Sequence, residues 1–196
     1  RRRSICFSLW VDEYKDKFDW NNIRFLLGGR AFAFPPTSPD SNYGHANHFA
    51  FLSLLRIPAD HIHRIKGENE PGTEAMRYSW VVKEFLPLFN QMPTFDCIIL
   101  GVGEDFPYGI IFPTTMELLS DSRNYAVSQQ PSTGQYRITM TGPLILNGAP
   151  LLVPILGTNK EPVIQRLSKG YSPSNDTPAA YILSHAVQAT IYGLNP

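Results

Sequence analysis

Short apolar runs alternate along this chain with longer stretches whose apolar residues recur at helical spacing. That pattern predicts an α/β fold with a largely parallel sheet. Strands are predicted at Ser4–Trp10, at Asn22–Leu27 behind the turn-like Asp19-Trp20-Asn21, and at Ile62–Ile65. A helix is predicted over Tyr43–Leu55, with Asp40, Ser41 and Asn42 offering N-cap side chains and Ile57-Pro58 closing it. A longer amphipathic helix is predicted over Thr73–Phe89, ended or bent by Pro87. Phe95–Leu100 is nearly all apolar and rich in β-formers, so it reads as a buried strand running into Gly101-Val102-Gly103.

The second half continues the alternation. Thr114–Ser120 reads as a helix capped by Thr114 or Thr115. Tyr125–Gln129 and Gln135–Thr141 flank Pro131-Ser132-Thr133-Gly134 and predict an antiparallel hairpin. Leu151–Leu156 is a second buried strand, followed by a helix over Glu161–Ser168 with Pro162 in its first turn. A helix over Thr177–His185 and a strand over Ala189–Tyr192 complete the order. With no internal repeat or long linker, residues 1–196 are expected to form one domain.

Composition narrows the partners. Lys plus Arg and Asp plus Glu number 17 each, so zero net charge gives no reason to expect nucleic acid or an anionic membrane. The longest apolar runs are too short to span a bilayer. Arg1-Arg2-Arg3 followed by apolar Ser4–Val11 has the look of a signal peptide. The short apolar part and the lack of a small-residue cleavage site argue against that reading. Cys6 and Cys97 both fall in predicted strands and are expected to be buried free thiols in a reducing compartment, which makes the cytoplasm the expected location.

Three strand ends carry glycine: Leu27-Gly28-Gly29-Arg30, Leu100-Gly101-Val102-Gly103-Glu104-Asp105 and Leu156-Gly157-Thr158-Asn159-Lys160. Ligands of open α/β sheets bind outside the carboxyl ends of the strands. Glycine lets backbone N–H groups approach a phosphate, and Arg or Lys supplies counter-charge. Three such ends in one chain, two with a cation, point to a site for an anionic small molecule, against the alternative of three tight turns.

The segment from Phe95 to Asp105, with Phe112-Pro113 after it, resembles the central signature of the 6-phosphogluconolactonase family. So do Ser38-Pro39-Asp40-Ser41-Asn42-Tyr43-Gly44, Ile57-Pro58 with His63-Arg64-Ile65, Arg137-Ile138-Thr139-Met140-Thr141 and Gly157-Thr158-Asn159-Lys160. The resemblance runs from about Asp12 to Tyr192. It implies a three-layer, Rossmann-like fold of the NagB/RpiA type, with a mostly parallel sheet and helices on both faces. It also implies hydrolysis of 6-phosphoglucono-1,5-lactone to 6-phosphogluconate without a metal or other cofactor. A histidine of the signature would be the general base, with donors stabilising the oxyanion. The expected partner is a small sugar phosphate, and the chain is expected to be a monomer or weak homodimer.

Three departures from the family pattern stand out. The family reads Gly-His after Glu104-Asp105, whereas this chain has Phe106-Pro107 and the histidine's place falls to Pro107. The Gly-Asp-Glu-Arg strand end is replaced by Gly28-Gly29-Arg30-Ala31-Phe32. The first strand runs into Val11-Asp12-Glu13-Tyr14 where a Gly-Gly-Ser-Thr-Pro phosphate loop belongs, and the amino-terminal end is shorter than the family's. The losses fall at the expected active site and spare the scaffold, so an impaired or inactive member that only binds a sugar phosphate is an alternative. The superfamily's aminosugar-phosphate isomerase/deaminase activity is a further one, disfavoured by Phe112-Pro113 and Ser41-Asn42-Tyr43.

Each candidate residue has a plainer role beside it. Asp105 orients water or substrate, or caps the next turn. Lys160 binds phosphate, or is a solvated lysine at a helix start. Arg137 reaches the ligand, or joins a surface ion pair. Asn42 binds, or is only an N-cap. Arg30, Gly101 and Gly103 complete the expected phosphate set. His45 and His48 lie at a spacing that suits a metal, but no third ligand follows and no metal site is expected. His61 and His63 are expected to alternate along a strand and point the same way, and His185 suits a helix C-terminus.

Overall fold

The computed structural model describes residues 10–28, 51–101, 111–155, 165 and 177–193. Residues 10–14 form a helical turn, α1, so Trp10 is helical where a strand was expected; the remainder of the predicted Ser4–Trp10 strand lies outside the described residues. The chain then passes through a 3-10 turn at Trp20–Asn22 into β1, Phe25–Leu27. Asp19 caps the turn by accepting from the N–H of Asn21. Trp20 is buried with Leu52, Leu55 and Ile57, and its indole N–H donates to the carbonyl of Lys15 at 2.9 Å. That cluster anchors the start of the described chain to α2, Phe51–Leu54.

β2, Ile62–Arg64, pairs in parallel with β1, Leu27 opposite Arg64. His61 belongs to the 3-10 turn Ala59–His61 ahead of β2, so it and His63 are not strand neighbours as expected. The long helix α3, Pro71–Phe85, begins with Pro71 in its first turn, where the missing N–H costs nothing. Glu70 caps it, accepting from the N–H groups of Gly72 and Thr73 at 2.8 and 2.7 Å. Glu74, Ala75, Tyr78 and Val82 recur on one face and are buried.

The prediction carried this helix to Phe89, but it stops at Phe85. Pro87 bars residue 86 from helical geometry, and Leu86 is extended (ψ 144°). Leu88–Phe89 instead forms β3 of a small hairpin with β4, Met92–Pro93. Asn90 and Gln91 both have positive φ (49° and 64°), which gives a two-residue turn whose twist suits the hairpin.

Of the predicted strand Phe95–Leu100 only β5, Ile98–Ile99, is strand. Cys97 precedes it and is exposed, which corrects the expectation of a buried thiol within a strand; Cys6 lies outside the described residues. A 3-10 stretch at Pro113–Leu119 takes the place of the predicted helix. It is kinked at Thr115, whose hydroxyl accepts from the N–H of Phe112 at 3.1 Å. The hairpin of β6, Tyr125–Gln129, and β7, Tyr136–Met140, is as predicted. A short helix α4, Gly142–Ile145, follows it, then β8, Leu151–Ile155. Helix α5, Pro178–His185, is capped by Thr177, and β9 covers Ala189–Gly193.

The chain is therefore α/β as expected. β5, β8 and β9 form a parallel ladder in the order β5-β8-β9, β1 and β2 form another, and the two hairpins supply the antiparallel pairs. The central core joins Ile98, Leu100 and Ile111 to Leu151, Val153 and Ile155 of β8 and to Ala179 and Ile182 of α5. A second core packs α3 on the β6–β7 hairpin through Tyr78, Val82, Tyr125, Ile138 and Leu144. No helix among the described residues is long and apolar enough to cross a membrane.

Candidate functional site

The candidate site depends on where strands deliver their glycine ends. β5 and β8 are parallel neighbours in the register Ile98–Leu151 and Ile99–Leu152. The ladder continues one residue further, with the N–H of Leu100 donating to the carbonyl of Leu152 at 2.9 Å. Both strands thus leave the sheet at the same edge. β5 passes into Gly101, and β8 ends at Ile155, two residues ahead of Gly157. Gly101 is exposed, and a Cβ placed there would meet no atom within 4 Å. Among the described residues the Cβ side of Gly101 is therefore open. Ile111 is fully buried in the core, and Phe112-Pro113 opens the 3-10 stretch.

A second pair of carboxyl ends is held by α3. β1 ends at Leu27 against Gly28, and β2 ends at Arg64. Tyr78 of α3, with no solvent exposure, places its hydroxyl 3.1 Å from the carbonyl of His63 and 3.3 Å from that of Leu27. Arg77 donates to the carbonyl of Arg64 at 3.2 Å and grips the buried carboxylate of Glu74 with both its Nε and Nη2. Glu74 also accepts from the N–H of Lys66 at 2.7 Å and from Asn69 at 2.8 Å. Burial alone would raise its pKa, but the donors from Arg77, Lys66 and Asn69 outweigh burial and hold it below the ordinary carboxylate value. Arg64 pairs with Glu68 at 2.6 Å, and chiefly through that bond Glu68 is held down to about 2.

Of the residues predicted for the site, Gly101 and Arg137 are described; Arg30, Asn42, Gly103, Asp105, Pro107 and Lys160 lie outside the described residues, as do His45 and His48. Arg137 stands on β7 opposite Ser128, and its guanidinium donates to the side chain of Gln130 and, at 3.4 Å, to that of Gln135, both at the hairpin turn. His63 stacks on Phe85 with ring centroids 4.2 Å apart. Burial first, then Arg24 and His61, lowers its pKa, so it stays neutral near pH 7. His185 stacks on Tyr181 at the C-terminal end of α5, where its Nδ1 lies 2.8 Å from the carbonyl of Tyr181. Among the described residues no three His, Cys, Asp or Glu side chains gather as a metal site.

Sequence reasoning missed Glu74, Arg77 and Tyr78. Their spacing marks the buried face of a helix, and nothing in that spacing says that their polar atoms reach the strand ends.

Residues 3–192 match the family model described as glucosamine-6-phosphate isomerases/6-phosphogluconolactonase. The chain belongs to this family. The 6-phosphogluconolactonase of Treponema pallidum is 34% identical over 158 residues, a match covering 81% of this chain and 65% of that protein. The 6-phosphogluconolactonase of Haemophilus influenzae is 34% identical over 170 residues, covering 86% and 70%. The chain thus spans about two thirds of the length of these curated relatives. The crystal structure of the devB protein superposes with a TM-score of 0.85 at 30% identity, covering 96% of this chain and 78% of that one. The expected fold type is therefore that of the family, and the parallel β5-β8-β9 ladder is part of it.

Proposed function

We propose that this chain hydrolyses 6-phospho-D-glucono-1,5-lactone to 6-phosphogluconate, at a rate reduced by the loss of the family's histidine. The observation that carries the reading is the parallel pairing of β5 with β8. It brings the carboxyl ends of β5, next to Gly101, and of β8 to one edge of one sheet, which supports a shared site there. Family membership over residues 3–192 supports the substrate class, as do the names of the relatives.

The chemistry follows from the residues. Water attacks the lactone carbonyl, the bond from that carbon to the ring oxygen breaks, and the proton lost by water ends on the released hydroxyl. In this reading the backbone at Gly101 and Gly103, with Arg30, Asn42, Arg137 and Lys160, holds the phosphate and the sugar. Pro107 is an amide nitrogen within a ring and accepts no proton, so it cannot serve as base. Asp105 is the carboxylate assigned here to orient the water, and stabilisation of the oxyanion carries more of the rate. Residues 1–196 act as one domain, as a monomer or weak homodimer, in the cytoplasm.

Purified protein is expected to speed the disappearance of the lactone above its spontaneous rate, and Lys160→Ala to raise KM. No acceleration at high protein concentration rejects hydrolysis. Pro107 favours one second reading, a sugar-phosphate binder without turnover. Calorimetry that finds 6-phosphogluconate bound and no acceleration supports this reading; absence of binding rejects both.

A further inference from the structure

We propose that the hydroxyl of Tyr78 is a positioning group that fixes the carboxyl ends of β1 and β2, and through Leu27 the adjoining Gly28. The inference rests on the reading above, in which the turns after the strands bind the sugar phosphate.

A core tyrosine needs only its ring to fill space, and the same cluster provides the comparison. Tyr125 meets Tyr78 edge-on, centroids 4.9 Å apart at 83°, and is as deeply buried. Its hydroxyl has no hydrogen-bond partner among the described residues. The Tyr78 hydroxyl instead lies between two main-chain carbonyls on adjacent parallel strands, at the last residue of β1 and the middle residue of β2. Leu27 is the last paired residue of β1 and is followed directly by Gly28.

Glu74, one turn earlier, and Arg77, the preceding residue, act on the same edge. They take the N–H of Lys66 and the carbonyl of Arg64, so α3 sets where both strands stop. Of the three, Tyr78 is the one that hydrogen-bonds to β1 among the described residues. The hydroxyl has one proton to share between the two carbonyls, so removing its oxygen takes away that shared donor while the ring packing stays intact. The freed end of β1 then samples more positions, and a ligand must order it on binding.

The test compares Tyr78→Phe with Tyr125→Phe, the same deletion at equal depth. Three quantities are read: the melting temperature, amide exchange at Gly28 and at residues 64–66, and 6-phosphogluconate affinity by calorimetry. Tyr78→Phe is expected to speed exchange at those amides and to weaken binding about three- to tenfold, with ordinary exchange along the β6–β7 hairpin. Tyr125→Phe is expected to change neither. Unchanged exchange at Gly28 in Tyr78→Phe overturns the proposal. Equal losses of melting temperature in both variants with unchanged affinity also overturn it, because that is a packing role. If the unsubstituted protein binds no 6-phosphogluconate, the site reading fails, and exchange at Gly28 still decides whether Tyr78 holds the strand ends.

Discussion

Glu74 carries its charge with no solvent exposure, and it does so because each carboxylate oxygen has a donor: Arg77 and the N–H of Lys66 on one, Arg77 and Asn69 on the other. Glu74→Gln keeps the volume and removes the charge that these donors satisfy. A loss of about 2–3 kcal/mol is expected in denaturant unfolding. The pH dependence has a definite sign. A folded-state pKa below the ordinary value of 4.5 means that the unfolded chain takes up the proton first as the solution is acidified. The Glu74 contribution is therefore complete above about pH 4.5 and is lost as pH falls toward its folded value. Unfolding midpoints measured between pH 7 and pH 3 should fall more steeply for the unsubstituted protein than for Glu74→Gln. Gly101 makes the opposite kind of residue-scale case. Its surroundings are open, so Gly101→Ala should leave the melting temperature nearly unchanged and weaken 6-phosphogluconate binding, as read by calorimetry.

Elements differ in how far they could be read from the chain. The β6–β7 hairpin and β8 were legible because alternation or an unbroken apolar run coincided with turn residues at both ends. The β3–β4 hairpin was not. It is two residues per strand, it follows a long helix, and its turn is Asn90-Gln91, without the glycine that usually announces such a turn. Helix α4 was missed because Gly142 and Pro143 are poor helix formers. Gly142 is there for space: a Cβ on it would lie 2.2 Å from the carbonyl oxygen of Leu119. Gly142→Ala should therefore cost about 1–3 kcal/mol, measured by denaturant unfolding, as α4 and the Pro113–Leu119 stretch are pushed apart. For the candidate site, glycine at strand ends was legible as a motif, whereas the supports behind it were not. Tyr78 looks like any apolar position on a helix face until the strands are in place.

At the scale of the molecule, two of the cores share Phe95 and Met140 as neighbours, so the β5-β8-β9 ladder and the packing of α3 on its hairpin are mechanically joined. One cooperative thermal transition is expected by calorimetry, with the calorimetric and van't Hoff enthalpies equal. Separate transitions would show that the Trp20 cluster melts on its own. The β3–β4 hairpin is tied to the rest by Asn147, whose side-chain nitrogen lies 2.9, 2.9 and 3.1 Å from the carbonyl oxygens of Phe89, Met92 and Pro93 and shares its two N–H groups among them. Asn147 is followed by Gly148, the dipeptide most prone to spontaneous deamidation through a succinimide. Engagement of that nitrogen by three carbonyls slows its departure while the fold is intact. Once it is lost, an aspartate would face the same three oxygens with negative charge and no proton to offer. Deamidation at Asn147 should therefore wait on local opening, and the acidic charge variant it yields should have a loosened hairpin.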